Sequence, residues 1–332
     1  MLMCLGLALF PACAQKAGQA GSQAGVKSET PEPPIPKGFA TEDEVKQALL
    51  TGKVGIINRN PPIPDEIKRI QDVEYFNVDG HSLKLDLFVP RQPKGPVPAL
   101  VFIHGGGWVK GDRKDYLPYN VEFAKKGYVT ATISYRLIGV SPYPACVKDV
   151  KCAIKFLRQN AAQYSIDPDR IVAIGGSAGG HLSMMLGYAP NAPEFDQGCY
   201  PGVSDAVQAV VDLYGPTDLT ATFAQHNPTA NNFIGKSFEA APELYSQASP
   251  ITWLNAGDPP TLIFQGTIDS TVPASQSDLL ASKLKSLGIP YEYEKYEGWP
   301  HTMDLAQPVY DRTTFVIARF LEKHVGGPTV KK

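Results

Sequence analysis

The chain has 332 residues, 43% of them hydrophobic and 19% charged, with a formal net charge of −2 at pH 7. That length suits one large α/β domain and does not require two. So small a net charge supplies no electrostatic footprint for nucleic acid or an anionic membrane, and no apolar run after the first fifteen residues is long enough to span a bilayer.

The apolar stretch Leu2–Phe10 has the length of a secretory h-region and leads into Pro11-Ala12-Cys13-Ala14-Gln15, so residues 1–14 read as an export signal. Ala12-Cys13-Ala14 suits cleavage before Gln15. The alternative is a lipoprotein signal acylated at Cys13, which Phe10 and Pro11 suit poorly. A periplasmic or extracellular protein is expected, with that anchor as its one route to a membrane. Residues 15–38 lack aromatics, are rich in Gly, Ala, Ser and Pro, and read as a flexible linker. Residues 39–69 form an N-terminal arm. In it, Thr41 and Glu44 make a capping box for a short helix through Leu50, and the prolines at 61, 62 and 64 end the segment. The arm either packs over a site as a partial cap or decorates the fold.

The main α/β domain is expected over residues 70–324, followed by a tail at 325–332. Val73–Val78 and Leu83–Val89 alternate like paired strands around Asp79-Gly80-His81, a hairpin signal. Pro98–Ile103 and Tyr128–Tyr135 are continuous apolar runs of the kind buried on both sheet faces. Pro144 opens a helix at its first position, running to about Tyr164. Further strands are expected at 171–174, 207–213, 260–265 and 290–296, with helices near 274–287 and 308–323. Strands alternating with helices predict a mostly parallel central sheet with helices on both faces, an α/β fold. Residues 219–249 form the longest excursion between strands and read as a small lid or substrate loop.

Four places on this framework carry chemistry. Gly175-Gly176-Ser177-Ala178-Gly179 follows a β-branched run and precedes helical composition, the pattern of a strained strand-to-helix turn that presents Ser177 as a nucleophile. His104-Gly105-Gly106-Gly107-Trp108 follows an apolar strand, and consecutive glycines leave backbone N–H groups open to an oxyanion. Gly106, Gly107 and Ala178 are the expected donors, with Gly105 a further candidate. Asp269 lies in the loop after the strand at 260–265, and His301 in the loop after the strand at 290–296. Serine, acid and base thus fall in the order such triads require. Asp258 and Asp304 are the competing carboxylates. His104 is expected to shape the glycine loop and His181 to lie on the helix after Ser177; His81, His226 and His324 read as surface or loop residues.

Together these segments resemble the acetyl esterase/lipase branch of the α/β-hydrolases, near the hormone-sensitive-lipase group, and most of all its feruloyl- and acetylxylan-esterase-like members. The resemblance rests on HGGGWVKGD (104–112), YPACVKDVKCAIKFLRQNA (143–161), GGSAGGHL (175–182), YGPTDL (214–219), SPITW (249–253) and GTIDSTVP (266–273), and covers about residues 70–324. The hormone-sensitive-lipase group usually has Asp before the nucleophile where this chain has Gly176. That departure, with a short arm in place of a full cap, favours the xylan-esterase-like branch. The resemblance implies hydrolysis of carboxylic esters, acetyl or feruloyl esters among them, through an acyl-enzyme on Ser177 without a cofactor.

Trp108, Tyr143 and Trp299 each neighbour a motif and are candidates for lining the substrate pocket. Cys146 and Cys152, six residues apart on one helix, face about 120° apart and are poorly placed to bond each other. One bridge from this pair to Cys199 would leave one thiol over. No Cys/His cluster has metal-ligand spacing, so no metal is expected. Two other readings compete: an amidase such as an arylformamidase, or a peptidase, on the same triad, and a non-catalytic binding protein of the same fold.

Overall fold

The computed structural model describes residues 31–328. The calls on residues 1–30, the export signal, Cys13 and most of the linker, lie outside it, as does the end of the tail. Residues 33–328 belong to one compact unit.

Its centre is an eight-stranded sheet ordered β1-β2-β4-β3-β5-β6-β7-β8: Ile67–Val78, His81–Pro90, Val97–Ile103, Val129–Ile133, Ile166–Gly176, Ala209–Leu213, Thr261–Gly266 and Tyr291–Tyr296 in chain order from β1 to β8. β1 and β2 form the expected hairpin. Its turn residues Asp79 and Gly80 have φ of 52° and 82°, the left-handed pair that matches a two-residue hairpin to strand twist. β2 meets β4 antiparallel, and every pairing from β4 to β8 is parallel.

The helices are α1 Glu42–Leu50, α2 Leu117–Lys125, α3 Ala145–Gln159, α4 Ala178–Tyr188, α5 Thr222–Gln225, α6 Pro228–Ile234, α7 Pro242–Gln247, α8 Pro250–Trp253, α9 Ser275–Ser286 and α10 Gln307–His324. Successive strand residues point to opposite faces, so β3 sends Ala99, Val101 and Ile103 into a core shared with α3, α4 and α9. It sends Leu100 and Phe102 into a second core with α1, α2 and α10. In α10, Val309, Thr313, Val316, Ile317 and Phe320 recur at helical spacing and are all buried, which is why that helix lies flat on the sheet.

Several boundaries differ from the sequence reading. β1 begins at Ile67, inside the segment assigned to the arm, because Ile67 pairs with Pro90 of β2. α2 was not anticipated; its Pro118, Asn120 and Tyr119 are buried with its apolar residues, which blurs the amphipathic pattern. α3 stops at Gln159 and a separate 3₁₀ turn, Ala161–Tyr164, follows. Pro144 stands one place before the first helical residue, after a cis Tyr143–Pro144 bond. The excursion at 219–249, read as a small lid or substrate loop, holds α5, α6 and α7. Cys152 of α3 is bonded to Cys199, and Cys146 is the buried free thiol.

Candidate active site

Parallel strands deliver their following loops to one edge of the sheet. At the ends of β3, β5, β7 and β8 stand His104-Gly105-Gly106-Gly107, Ser177, the Asp269 loop and the His301 loop. Ser177 joins β5 to α4 with φ 56° and ψ −123°, a costly conformation for a residue with a side chain. The neighbouring glycines are demanded by crowding. A Cβ on Gly179 would lie 2.0 Å from the Ile103 carbonyl oxygen, so no larger residue lets α4 start this close to β3.

Ser177 Oγ lies 2.9 Å from His301 Nε2, and His301 Nδ1 lies 2.6 Å from Asp269 Oδ2. The other Asp269 oxygen accepts the backbone N–H groups of Thr271 and Val272, each at 2.8 Å. Gln265 Nε2 adds a contact to Oδ2 at 3.2 Å. The Asp269 side chain is fully shielded from solvent while that of His301 keeps 15% exposure. A buried carboxylate held by two amides presents a fixed acceptor to the imidazole, which sets the proton on Nδ1 and leaves Nε2 free to take one from serine. The competing carboxylates are engaged elsewhere. Asp258 accepts Asn255 N–H in a turn before β7, and Asp304 accepts the hydroxyls of Tyr119 and Tyr214.

Among the described residues the amides of Gly105, Gly106 and Gly107 donate to no backbone carbonyl, and Ala178 opens α4, where an N–H has no intrahelical partner. A Cβ on Gly105 would stand 3.3 Å from Ser177 Cβ. Gly106 has φ 106°, and its carbonyl accepts from Val109 and Lys110. Gly107 has φ 62° and runs beneath Thr229 of α6. His104 braces this loop. Its Nδ1 is 2.9 Å from the Gly105 oxygen, its ring stacks on Tyr135 at 4.3 Å, and burial lowers its pKa. His181 lies in α4 as read; Ala248 O meets its Nε2 at 2.7 Å, and burial pushes it down to about 4.

A cavity of about 760 Å³ opens over Ser177. Of the three aromatic candidates only Trp108 lines it, with its ring stacked at 4.0 Å on Phe233. Tyr143 is a correction: it is buried against Phe233 and Phe195, behind the wall rather than in it. Trp299 is another. It lies 1% exposed under the arm, donating Nε1–H to Pro36 O and meeting the edge of Phe39. Chain adjacency to a motif does not set where a side chain points. The other walls come from remote segments: Ile57 and Arg59 of the arm, expected either to cap a site or to decorate the fold; Phe223 and Ala230 of the excursion, read as a lid or substrate loop; and Tyr116 and Tyr119 around the start of α2, which no motif marks. Tyr214 stood in the quoted YGPTDL segment, the one signal that could have found it. The arm is therefore part of the site.

With this geometry in place, the comparison with known families is direct. The profile of the BD-FAE family matches residues 85–284, more than half of the chain. The chain belongs to the BD-FAE family. This is an esterase family of the α/β-hydrolase fold, and the domain is a carboxylic ester hydrolase domain. The chain is 32% identical over 279 residues to "Esterase LipQ" of Mycobacterium tuberculosis, covering 80% of this chain and 66% of LipQ. Among solved structures it is similar to "Truncated form of carbohydrate esterase from gut microbiota", with 27% identity, TM-score 0.70, and coverage of 78% of this chain and 99% of that one. It is also similar to esterase 2 of Thermogutta terrifontis with butyrate bound, with 28% identity, TM-score 0.69, and coverage of 80% and 97%.

Proposed function

We propose that this BD-FAE protein hydrolyses short-acyl or hydroxycinnamoyl esters, including those carried by plant polysaccharides, through an acyl-enzyme on Ser177. The observation that carries the reading is the continuous Ser177–His301–Asp269 chain at 2.9 and 2.6 Å beside a loop of open glycine amides. His301 takes the serine proton as Oγ bonds to the ester carbonyl carbon, and Asp269 stabilises the imidazolium. The carbonyl oxygen becomes an oxyanion held by N–H groups among Gly105, Gly106, Gly107 and Ala178. Collapse breaks the bond to the alcohol oxygen, which leaves with the proton from His301. Water then repeats the sequence and releases the acid. The carbohydrate esterase and the butyrate-bound esterase among the similar structures support the choice of acyl group and alcohol.

The test compares the wild-type protein with Ser177→Ala on p-nitrophenyl acetate, butyrate and decanoate, methyl ferulate and acetylated xylan. Short-chain hydrolysis lost in the variant, with an acyl adduct on wild type by intact mass, is the expected result; equal rates in both proteins refute it. We also infer export, with cleavage before Gln15 or acylation at Cys13, a reading that the Cys152–Cys199 bond supports because disulfides persist in oxidising compartments. Mass analysis of the mature N-terminus after cell fractionation tests this, and an uncleaved chain retained in the cytoplasm overturns it.

A further inference from the structure

The loop that carries His301, residues 297–306, is held by the arm on both flanks. Before His301, Phe39 N–H donates to Gly298 O at 2.9 Å, and Trp299 Nε1–H donates to Pro36 O at 3.1 Å. After it, Ile57 N–H donates to Leu305 O at 3.0 Å and Gln307 N–H to Gly55 O at 2.8 Å. The first flank admits no side chain between the two backbones. A Cβ on Gly38 would lie 2.0 Å from the Glu297 carbonyl oxygen, and one on Gly298 would lie 2.4 Å from that of Phe39.

The far side of the same stretch rests on the acid loop. Gly298 N–H donates to Thr267 Oγ1 at 2.9 Å, and Ile268 N–H donates to Trp299 O at 3.2 Å. A Cβ on Gly266 would lie 2.0 Å from that same Trp299 oxygen. Three layers of backbone are therefore stacked in contact: residues 38–39, residues 298–299 and residues 266–268. Asp269 directly follows the third layer, and His301 lies just beyond the second. The arm then reaches past Asp269, where Glu42 Oε1 accepts Ser270 N–H at 3.1 Å. The amides that come next, of Thr271 and Val272, are those that hold Asp269 Oδ1.

We propose that residues 36–42 act as a strap that presses the base loop onto the acid loop and sets the reach of His301 from Asp269 to Ser177, with Gly38 and Glu42 as positioning residues. Its effect on turnover rests on the esterase reading above. Asp269, His301 and Ser177 stand on loops from three different strands, so their separations are set by whatever holds those loops in register. Close packing passes a displacement at Gly298 on to His301 rather than absorbing it. A misplacement of about 1 Å, caused far from the reacting atoms, can cost about a hundredfold in rate. Gly38 and Glu42 stand outside the cavity over Ser177, so the strap acts on turnover and not on substrate binding.

The experiment places Gly38→Ala, Glu42→Ala and Glu42→Gln in the full chain, with Gln47→Ala on the exposed face of α1 as a control. Each protein is read by kcat and KM on p-nitrophenyl acetate well below its melting temperature, and by the low-field resonance of the His301 Nδ1 proton. Gly38→Ala should lower kcat about tenfold or more, leave KM within about twofold, and shift or broaden the resonance. Glu42→Ala should lower kcat about fivefold, and Glu42→Gln, whose amide oxygen still accepts Ser270 N–H, should restore it. Gln47→Ala should match wild type. A folded Gly38→Ala protein with wild-type kcat and an unmoved resonance overturns the strap and leaves the esterase reading standing, even if its melting temperature falls. If Gly38→Ala does not fold, the Glu42 pair decides: no loss in Glu42→Ala, or equal losses in both variants, overturns the strap. A wild-type protein that hydrolyses no ester sinks the esterase reading instead, and the resonance in the variants still decides whether the arm positions His301.

Discussion

Replacing Asp269 by Asn tests the catalytic reading at its most constrained atom. The two backbone N–H groups of Thr271 and Val272, each 2.8 Å from Oδ1, can donate only to an oxygen there. The new amide nitrogen is therefore forced to the Oδ2 position, where it faces His301 Nδ1 at 2.6 Å. A donor at that point makes Nδ1 the acceptor and moves the imidazole proton to Nε2, which can then no longer take the proton of Ser177. The expected loss in kcat is about 10⁴-fold, or roughly 5 kcal/mol of transition-state stabilisation. Titrimetric hydrolysis of an alkyl acetate near pH 7.5 reads it, with a thermal melt to show that the variant is folded. The low-field Nδ1 proton resonance expected of the wild type should vanish as well. A folded Asp269→Asn protein within tenfold of wild type would refute the assignment of Asp269 as the group that sets the imidazole.

The bond between Cys152 and Cys199 closes a 47-residue separation, so Cys152→Ala should cost about 4 kcal/mol of stability by loop entropy, measured by urea unfolding without reductant. A loss below 1 kcal/mol would show that the unfolded chain gains little freedom from the cut. Trp299→Phe removes a buried donor from the Pro36 carbonyl and should cost about 1–3 kcal/mol. Because Trp299 lies outside the cavity over Ser177, the acetate-to-ferulate preference should stay within twofold; a larger change would restore Trp299 to the substrate wall. His181 is neutral in the fold, its pKa about 4 against 6.5 for the free side chain. Between these values the unfolded chain binds the extra proton, so stability should be full above pH 6.5 and fall as pH drops toward 4, by about 3 kcal/mol at most. His181→Gln should flatten that part of the urea-derived pH profile, and an unchanged slope would remove His181 as its source.

Chemistry that depends on local backbone geometry was legible in the sequence. A serine at φ 56° needs small neighbours on both sides, and open amides need glycines in a row, so Gly175–Gly179 and Gly105–Gly107 declare themselves by composition. Asp269 and His301 were legible because each lies in the loop that follows a strand, and parallel strands bring such loops to one edge. The hairpin at Asp79-Gly80 followed from turn chemistry in the same way. What only the tertiary structure decided is everything that depends on direction and on distant segments. Trp108 faces the cavity while Tyr143 and Trp299, equally close to motifs in sequence, turn into the core. Asp269 rather than Asp304 meets the imidazole because two tyrosines, 185 and 90 residues away from Asp304 in the chain, have claimed the latter. The arm, which by sequence either caps a site or decorates the fold, joins the cavity wall through Ile57 and Arg59. Strand and turn preferences are set within a few residues, whereas a pocket wall is set by which surfaces the packed sheet leaves facing each other.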